Sequence, residues 1–242
     1  MRVLFFVFLV FTFSVAAQTP AMKKSFDEGI ETARQGEFEK ASEKFRRVLL
    51  TAETEKPADA FLARVHFNLG VCFYRLNMAE NAVGEFTEAI KLSRREYQKA
   101  FYALGMAESN LKNFDKAENA FRSALKLNKT DGEAWFDLGL IYLQKRNFER
   151  AENAFENSIK YKSVAASDAH NNLGVIFALR HEFDLAEKHF ETALNLSDGK
   201  SNTARNNLQF CKYYRQENQL KDLMAKLEFS NESQNHLRLR NG

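Results

Sequence analysis

Apolar side chains recur along most of this chain at i, i+3, i+4 and i+7, the spacing of a helix face and not of a strand. In residues 132–165 the positions are Trp135, Leu138, Gly139 and Tyr142, then Phe148, Ala151, Phe155 and Ile159. A polar stretch, Lys145–Asn147, separates the two sets. The pattern predicts a helical hairpin, helix A then helix B. It recurs: NLGVCF at 68–73, ALGMAE at 103–108, DLGLIY at 137–142 and NLGVIF at 172–177. The glycines Gly70, Gly105, Gly139 and Gly174 are spaced 35, 34 and 35 apart, with a weaker first copy at Gly29. Twelve residues after each glycine stands Ala41, Ala82, Ala117, Ala151 or Ala186. Sixteen after each stands Phe45, Phe86, Phe121, Phe155 or Phe190.

A glycine inside a helix costs about 1 kcal/mol relative to alanine, so five at one phase mark a close approach. We expect glycine on A to face alanine on B, and the phenylalanine of B to fill the seam with the next unit. One hairpin cannot bury both of its faces, so stacking must supply the core. Seven extra residues, including Pro57, lie between the first two units, and Phe61, Val65 and Leu69 suggest that a helix starts near Ala58. At the other end Asn206–Asn207–Leu208 echoes Asn171–Asn172–Leu173, with Gln209 in place of the glycine. A stripe of Leu220, Leu223, Met224 and Leu227 then predicts the second helix of a capping pair over 202–229.

The pattern Trp135–x2–Leu138–Gly139–x2–Tyr142…Ala151–x3–Phe155 resembles the tetratricopeptide repeat, with its 34-residue period. The resemblance covers five units, 22–55, 63–96, 98–131, 132–165 and 167–200. The first has Glu28 and Thr32 where Leu and an aromatic are usual, the third has Glu108 in an aromatic position, and the closing proline is missing throughout. The resemblance implies an all-α, right-handed α-solenoid of stacked antiparallel hairpins. It implies A helices on an inner, concave surface, and a role in holding a protein or peptide partner. Some members grip a terminal carboxylate with Lys, Asn and Arg on inner positions. Here those positions are Phe26, Ile30, Phe67, Val71, Tyr102 and Met106, so that clamp is absent.

Ahead of the repeats, Arg2 precedes an apolar run from Val3 to Val15, too short for a comfortable membrane span. Val15 and Ala17 occupy the −3 and −1 positions of a small-residue cleavage site, which predicts a secretory signal peptide over 1–17. An uncleaved anchor is the alternative. We expect an exported, periplasmic or secreted protein, with a bacterial envelope favoured. N-x-S/T sequons at Asn128, Asn195 and Asn231 leave a eukaryotic secretory origin open. Residues 230–242 read as a polar, frayed tail.

The formal net charge of +3, from 35 basic and 32 acidic residues, lacks the basic excess of a dedicated nucleic-acid binder. Two prolines and ten glycines suit long helices. Cys72 and Cys211 lie in distant units and read as buried thiols rather than a disulfide. No catalytic set, phosphate loop, metal shell or cofactor motif stands out among the five histidines (66, 170, 181, 189 and 236). His66 and His170 share the Trp135 phase and read as packing residues. Glu118 and Glu152 read as a solvated face. We therefore expect no enzyme, no cofactor and no metal.

The positions that the repeat leaves free carry the functional expectation. One residue after the Trp135 phase come Phe26, Phe67, Tyr102, Phe136 and Asn171. After each glycine come Ile30, Val71, Met106 and Leu140, and Tyr74 lies one turn further on. These ten predict an apolar, aromatic-lined concave groove for a partner segment. Three rivals stand beside it: burial of these side chains between A helices, a groove filled by the protein's own N-terminal segment or C-terminal tail, and a glycan site using Phe67 and Tyr102. At the groove edge Lys23, Arg64 and Lys99, with Arg34 and Arg75, give way to Glu133 and Asp168, so the first half should be electropositive.

Overall fold

The computed structural model describes residues 19–217 and 227–230. The expected signal segment, the stripe Leu220, Leu223 and Met224, and residues 231–242 lie outside the described residues. Among the described residues eleven helices follow in order: α1 Pro20–Arg34, α2 Phe38–Glu55, α3 Asp59–Arg75, α4 Ala79–Leu92, α5 Gln98–Asn110, α6 Phe114–Leu127, α7 Gly132–Gln144, α8 Phe148–Lys160, α9 Ala166–Leu179, α10 Phe183–Leu196 and α11 Asn202–Glu217. Each packs on its neighbours in sequence, and successive odd-numbered helices touch: α1 on α3, α3 on α5, α5 on α7, and α9 on α11. The result is an α-solenoid of helical hairpins, with no strand among the described residues. The second unit does open early, at Asp59 after Ala58, with Pro57 one residue outside the N-cap.

The five repeat glycines admit something other than was expected. A Cβ built on Gly29, Gly70, Gly105, Gly139 or Gly174 would meet the ring of Phe45, Phe86, Phe121, Phe155 or Phe190 at 2.6–2.8 Å. The B-helix phenylalanine therefore sits on the glycine of its own hairpin, not in the seam with the next unit. An aromatic edge needs that space, which is why no other residue fits the A-helix position. The alanines Ala41, Ala82, Ala117, Ala151 and Ala186 are fully buried beside it.

The A–B turns repeat as closely. Seven residues after each glycine the backbone turns left-handed, at Gly36, Asn77, Lys112, Arg146 and His181, with φ between 55° and 83°. The next amide reaches back five residues, as in Met78 N–H to the Phe73 carbonyl (2.9 Å) and Asn147 N–H to that of Tyr142 (2.8 Å). That bond satisfies an end carbonyl of helix A and stops the helix. Side chains cap several helix starts: Asp131 accepts from Ala134 N–H and Asn147 from Arg150 N–H.

Polar contacts stitch the units together. Glu118 lies almost wholly inside, its carboxylate 2.7 Å from Lys145 Nζ and 3.6–3.7 Å from Arg122 and Arg150. Glu152 pairs with Arg180 at 2.5 Å, and Glu187 with Arg215 at 3.3 Å. The same acidic phase thus bridges to the next hairpin three times, and Glu118 and Glu152 are not the solvated face expected. Arginines meant for a groove edge also act between units: Arg64 stands over the Phe26 ring (4.9 Å) and Arg75 over that of Phe38 (4.8 Å).

Candidate functional site

The aromatic ladder is inside the hairpins. Phe26, Phe67 and Phe136 are 1% exposed and Tyr102 8%. Each ring packs on the B-helix phenylalanine of its own unit: Phe26 on Phe45, Phe67 on Phe86, Tyr102 on Phe121 and Phe136 on Phe155, with centroids 5.6–5.8 Å apart. Ile30, Val71, Tyr74, Met106 and Asn171 are buried too, and Leu140 is half-buried. The expected open groove with exposed aromatics is not what these ten residues form. The cause is the glycine–phenylalanine seat. It draws A onto B so tightly that the position after the Trp135 phase points into the hairpin.

Three of the ten still border a concavity. Tyr74, Met106 and Leu140, with Ser109, Asn110 and Gln144, line a cavity of about 240 Å3 on the odd-helix side, between α3, α5 and α7. Its floor is polar. Tyr102 Oη donates to Asp137 Oδ2 at 2.6 Å, both side chains being buried. Burial, and then the facing carboxylate of Asp137, hold the Tyr102 hydroxyl well above its ordinary value. Tyr74 is raised as well, chiefly by burial. The cavity therefore presents hydroxyls, amides and the Asp137 carboxylate, with Lys112, a methionine and a leucine alongside.

Further along the same side a second arrangement stands on α9 and α11. Asn171, Asn172 and Asn207 are fully buried, and they hold the segment Leu227–Ser230 by its backbone. Asn207 Nδ2 donates to the Glu228 carbonyl (2.7 Å), and its Oδ1 accepts from Glu228 N–H (3.0 Å). Asn172 does the same to Ser230, at 3.0 and 2.6 Å. Asn171 adds a bond to the Glu228 carbonyl (3.0 Å), and its Oδ1 accepts from Asn207 (2.9 Å). Residues 228 and 230 thus present both main-chain groups to one side, the pattern of an extended strand edge. Leu227 packs on the cluster of Val175, Phe190 and Cys211. Leu227 is not helical, contrary to its place on the predicted stripe. Ser230, expected to begin a frayed tail, is buried.

Sequence reasoning placed Asn171 in the groove but read Asn172 and Asn207 only as an echo between units, with no role in a site. The signal was present as a polar residue recurring just before each Leu: Asn68, Asp137, Asn172 and Asn207 share one phase. All four are buried.

The histidines sort by partner. His66 Nδ1 lies 2.7 Å from Glu85 Oε2, and His170 Nδ1 lies 3.0 Å from His189 Nδ1. Desolvation lowers both members of the second pair, His189 to about 4, with the His170 charge adding to it. Among the described residues no group of three His, Cys, Asp or Glu could hold a metal ion. Cys72 and Cys211 are free, buried thiols, each pushed up to about 12 by desolvation. Among the described residues no helix is long and apolar enough to cross a membrane.

Stacked hairpins locked by a glycine–phenylalanine seat, with polar groups lining the odd-helix side, define a helical-repeat protein. The tetratricopeptide repeat model matches residues 26–100, 102–159 and 141–201, and the chain belongs to that family. Three solved structures share the fold. MamA from Desulfovibrio magneticus is 20% identical, with a TM-score of 0.66 over 76% of this chain and 99% of that one. PilF of Pseudomonas aeruginosa is 18% identical, with a TM-score of 0.65 over 85% and 87%. YrrB, described as a TPR protein with an unusual peptide-binding site, is 19% identical, with a TM-score of 0.61 over 81% and 98%.

Proposed function

We propose that this protein is a non-catalytic interaction scaffold of a bacterial periplasm or envelope. It holds a segment of a protein partner on its odd-helix side and needs no cofactor. The observation that carries this reading is the concavity between α3, α5 and α7, where half-exposed Leu140 and the amides of Asn110 and Gln144 surround a polar floor. Such a lining offers hydrogen bonds to a peptide backbone and apolar contact to its side chains. The short apolar leader with Val15 and Ala17 at its end supports export. A glycan site finds less support, because sugar stacking needs open ring faces and Phe67 and Tyr102 are buried.

The test is site-directed photo-cross-linking in the source cells. A photoreactive residue at Ser109 or Gln144 should trap one defined protein, and the same residue at Asn153 on α8 should not. Equal trapping from both faces rejects the groove. The intact mass of the chain recovered from the envelope should lack residues 1–17. Recovery of the full-length mass rejects cleavage.

A further inference from the structure

Every bond that Asn172 and Asn207 make to Leu227–Ser230 goes to main chain. A primary amide offers one donor edge and one acceptor, the complement of a peptide group, so each asparagine closes a two-bond ring with one residue of an extended segment. Such recognition is blind to the side chains of residues 228 and 229, and both of those side chains are exposed. It is selective in two other respects. The residues gripped must carry an N–H, which excludes proline at either place. The residue before the grip packs on Val175, Phe190 and Cys211, and the last one is enclosed, which calls for an apolar and a small side chain there.

These amides are costly to leave empty. Buried polar groups without partners forfeit their hydration with no return, so Asn171, Asn172 and Asn207 need an occupant to be stable at these positions. At the Asn171 phase, earlier units carry a phenylalanine or tyrosine against their own B helix, the choice of a core position that needs no ligand.

We propose that Asn171, Asn172 and Asn207 form a main-chain-reading site for an extended peptide, and that Leu227–Ser230 is its resident occupant, which a partner segment must displace. This rests on the odd-helix side being the partner surface, and it assigns that surface a second, self-occupied half. The partner segment carries an apolar residue, two residues of free choice and a small residue, with no proline at the second or fourth place. Because the occupant is tethered, it competes at an effective concentration on the order of millimolar, so the free protein discriminates against weak or dilute ligands.

The experiment uses the full chain and a fluorescent synthetic peptide with the sequence of residues 224–233. Its binding is followed by anisotropy. In the variant Glu228→Pro with Ser230→Pro the segment loses both N–H donors, while α1–α11 are untouched. Circular dichroism verifies the fold. The peptide should bind this variant at least about tenfold more tightly than wild type. Adding Asn207→Asp, which keeps an acceptor and removes both donors, should abolish the gain, and a peptide with the same two prolines should not bind. Equal weak binding to the folded double variant and wild type overturns the site. Tight binding to wild type overturns the resident-occupant role.

Hydrogen exchange on wild type gives a reading that needs no variant. The protein's own 228 and 230 amides should be protected, and should lose protection at millimolar peptide. Binding that leaves them protected overturns the proposal. Failure here leaves cross-linking at Ser109 and Gln144 unaffected, so the two readings fail separately.

Discussion

Units four and five share a backbone plan and differ in what they put at one phase. In unit four Phe136 seats on Phe155, and the hairpin fills itself with hydrocarbon. In unit five the same phase is Asn171, followed by Asn172, and the volume is shared with a segment that arrives from 57 and 58 residues away in the chain. Both solutions are close-packed, and they differ in dependence. The first is complete within the unit. The second is complete only when main chain from elsewhere supplies its hydrogen bonds. A repeat array can thus carry a binding site at the cost of local self-sufficiency, by replacing one ring with one amide.

Exchanging the two residues is the harshest test of that contrast. Phe136→Asn removes a ring from a packed seat and buries an amide with no segment to grip. The expected loss is about 4 kcal/mol or more. At about 2–4 °C per kcal/mol for a chain of this size, Tm falls by about 10 °C. Asn171→Phe should cost less, about 1–3 kcal/mol, and should expose the Glu228 amide to exchange. Equal losses in thermal melts, with the Glu228 amide still protected, would mean that the two units are not built on different principles.

A second contrast concerns the acidic bridges. Glu118 is nearly enclosed and faces three cations, whereas Glu152 is more open and has one, Arg180. Removing one partner of a buried set strands the others, and a surface pair adds little. Glu118→Gln should cost about 1–3 kcal/mol, and Glu152→Gln under about 1 kcal/mol, by urea unfolding. Matching midpoints would show that burial does not separate them.

Unit five should also be the acid-sensitive one. His189 is lowered to about 4 from 6.5 by desolvation and by the charge on His170. The unfolded chain therefore takes up a proton that the folded unit resists. The folding contribution is complete above pH 6.5 and is lost as pH falls toward 4. Discounted for partial exposure, it is on the order of 1 kcal/mol. In wild type the midpoint should drop across that window. In His189→Phe the drop should shrink, while protection of amides in unit four stays level. An equal drop in both proteins would assign the acid response to other groups.

How much of this the sequence disclosed follows from the kind of information involved. Helices, turns and unit lengths were legible because they rest on local periodicity and on the glycine, alanine and phenylalanine phases. The direction of each phase was not. Whether the residue after the Trp135 position faces a groove or its own B helix depends on how closely A approaches B. That distance is set by the Gly139–Phe155 contact, seen only in three dimensions. The asparagine grip was hidden for a related reason. Asn171, Asn172 and Asn207 read as polar residues on an inner face until Leu227–Ser230, written as helix and tail by local pattern, lies across them. Local propensity cannot report a partner that far away in the chain.

The smallest expected effect lies in the turns, where units one and four differ by a side chain. The A–B turn needs a left-handed residue, and unit one supplies Gly36 (φ 83°) where unit four supplies Arg146 (φ 55°). An L-residue with a Cβ is disfavoured there, and glycine is not. Arg146→Gly should therefore stabilise by about 0.5–1 kcal/mol, even though glycine also loosens the unfolded chain. Gly36→Ala should cost a similar amount. Opposite shifts of similar size in urea midpoints would establish that the turn backbone is shared and that only the strain differs. If Arg146→Gly destabilises instead, the arginine side chain contributes more at that corner than its backbone costs, and the two turns are alike in form alone.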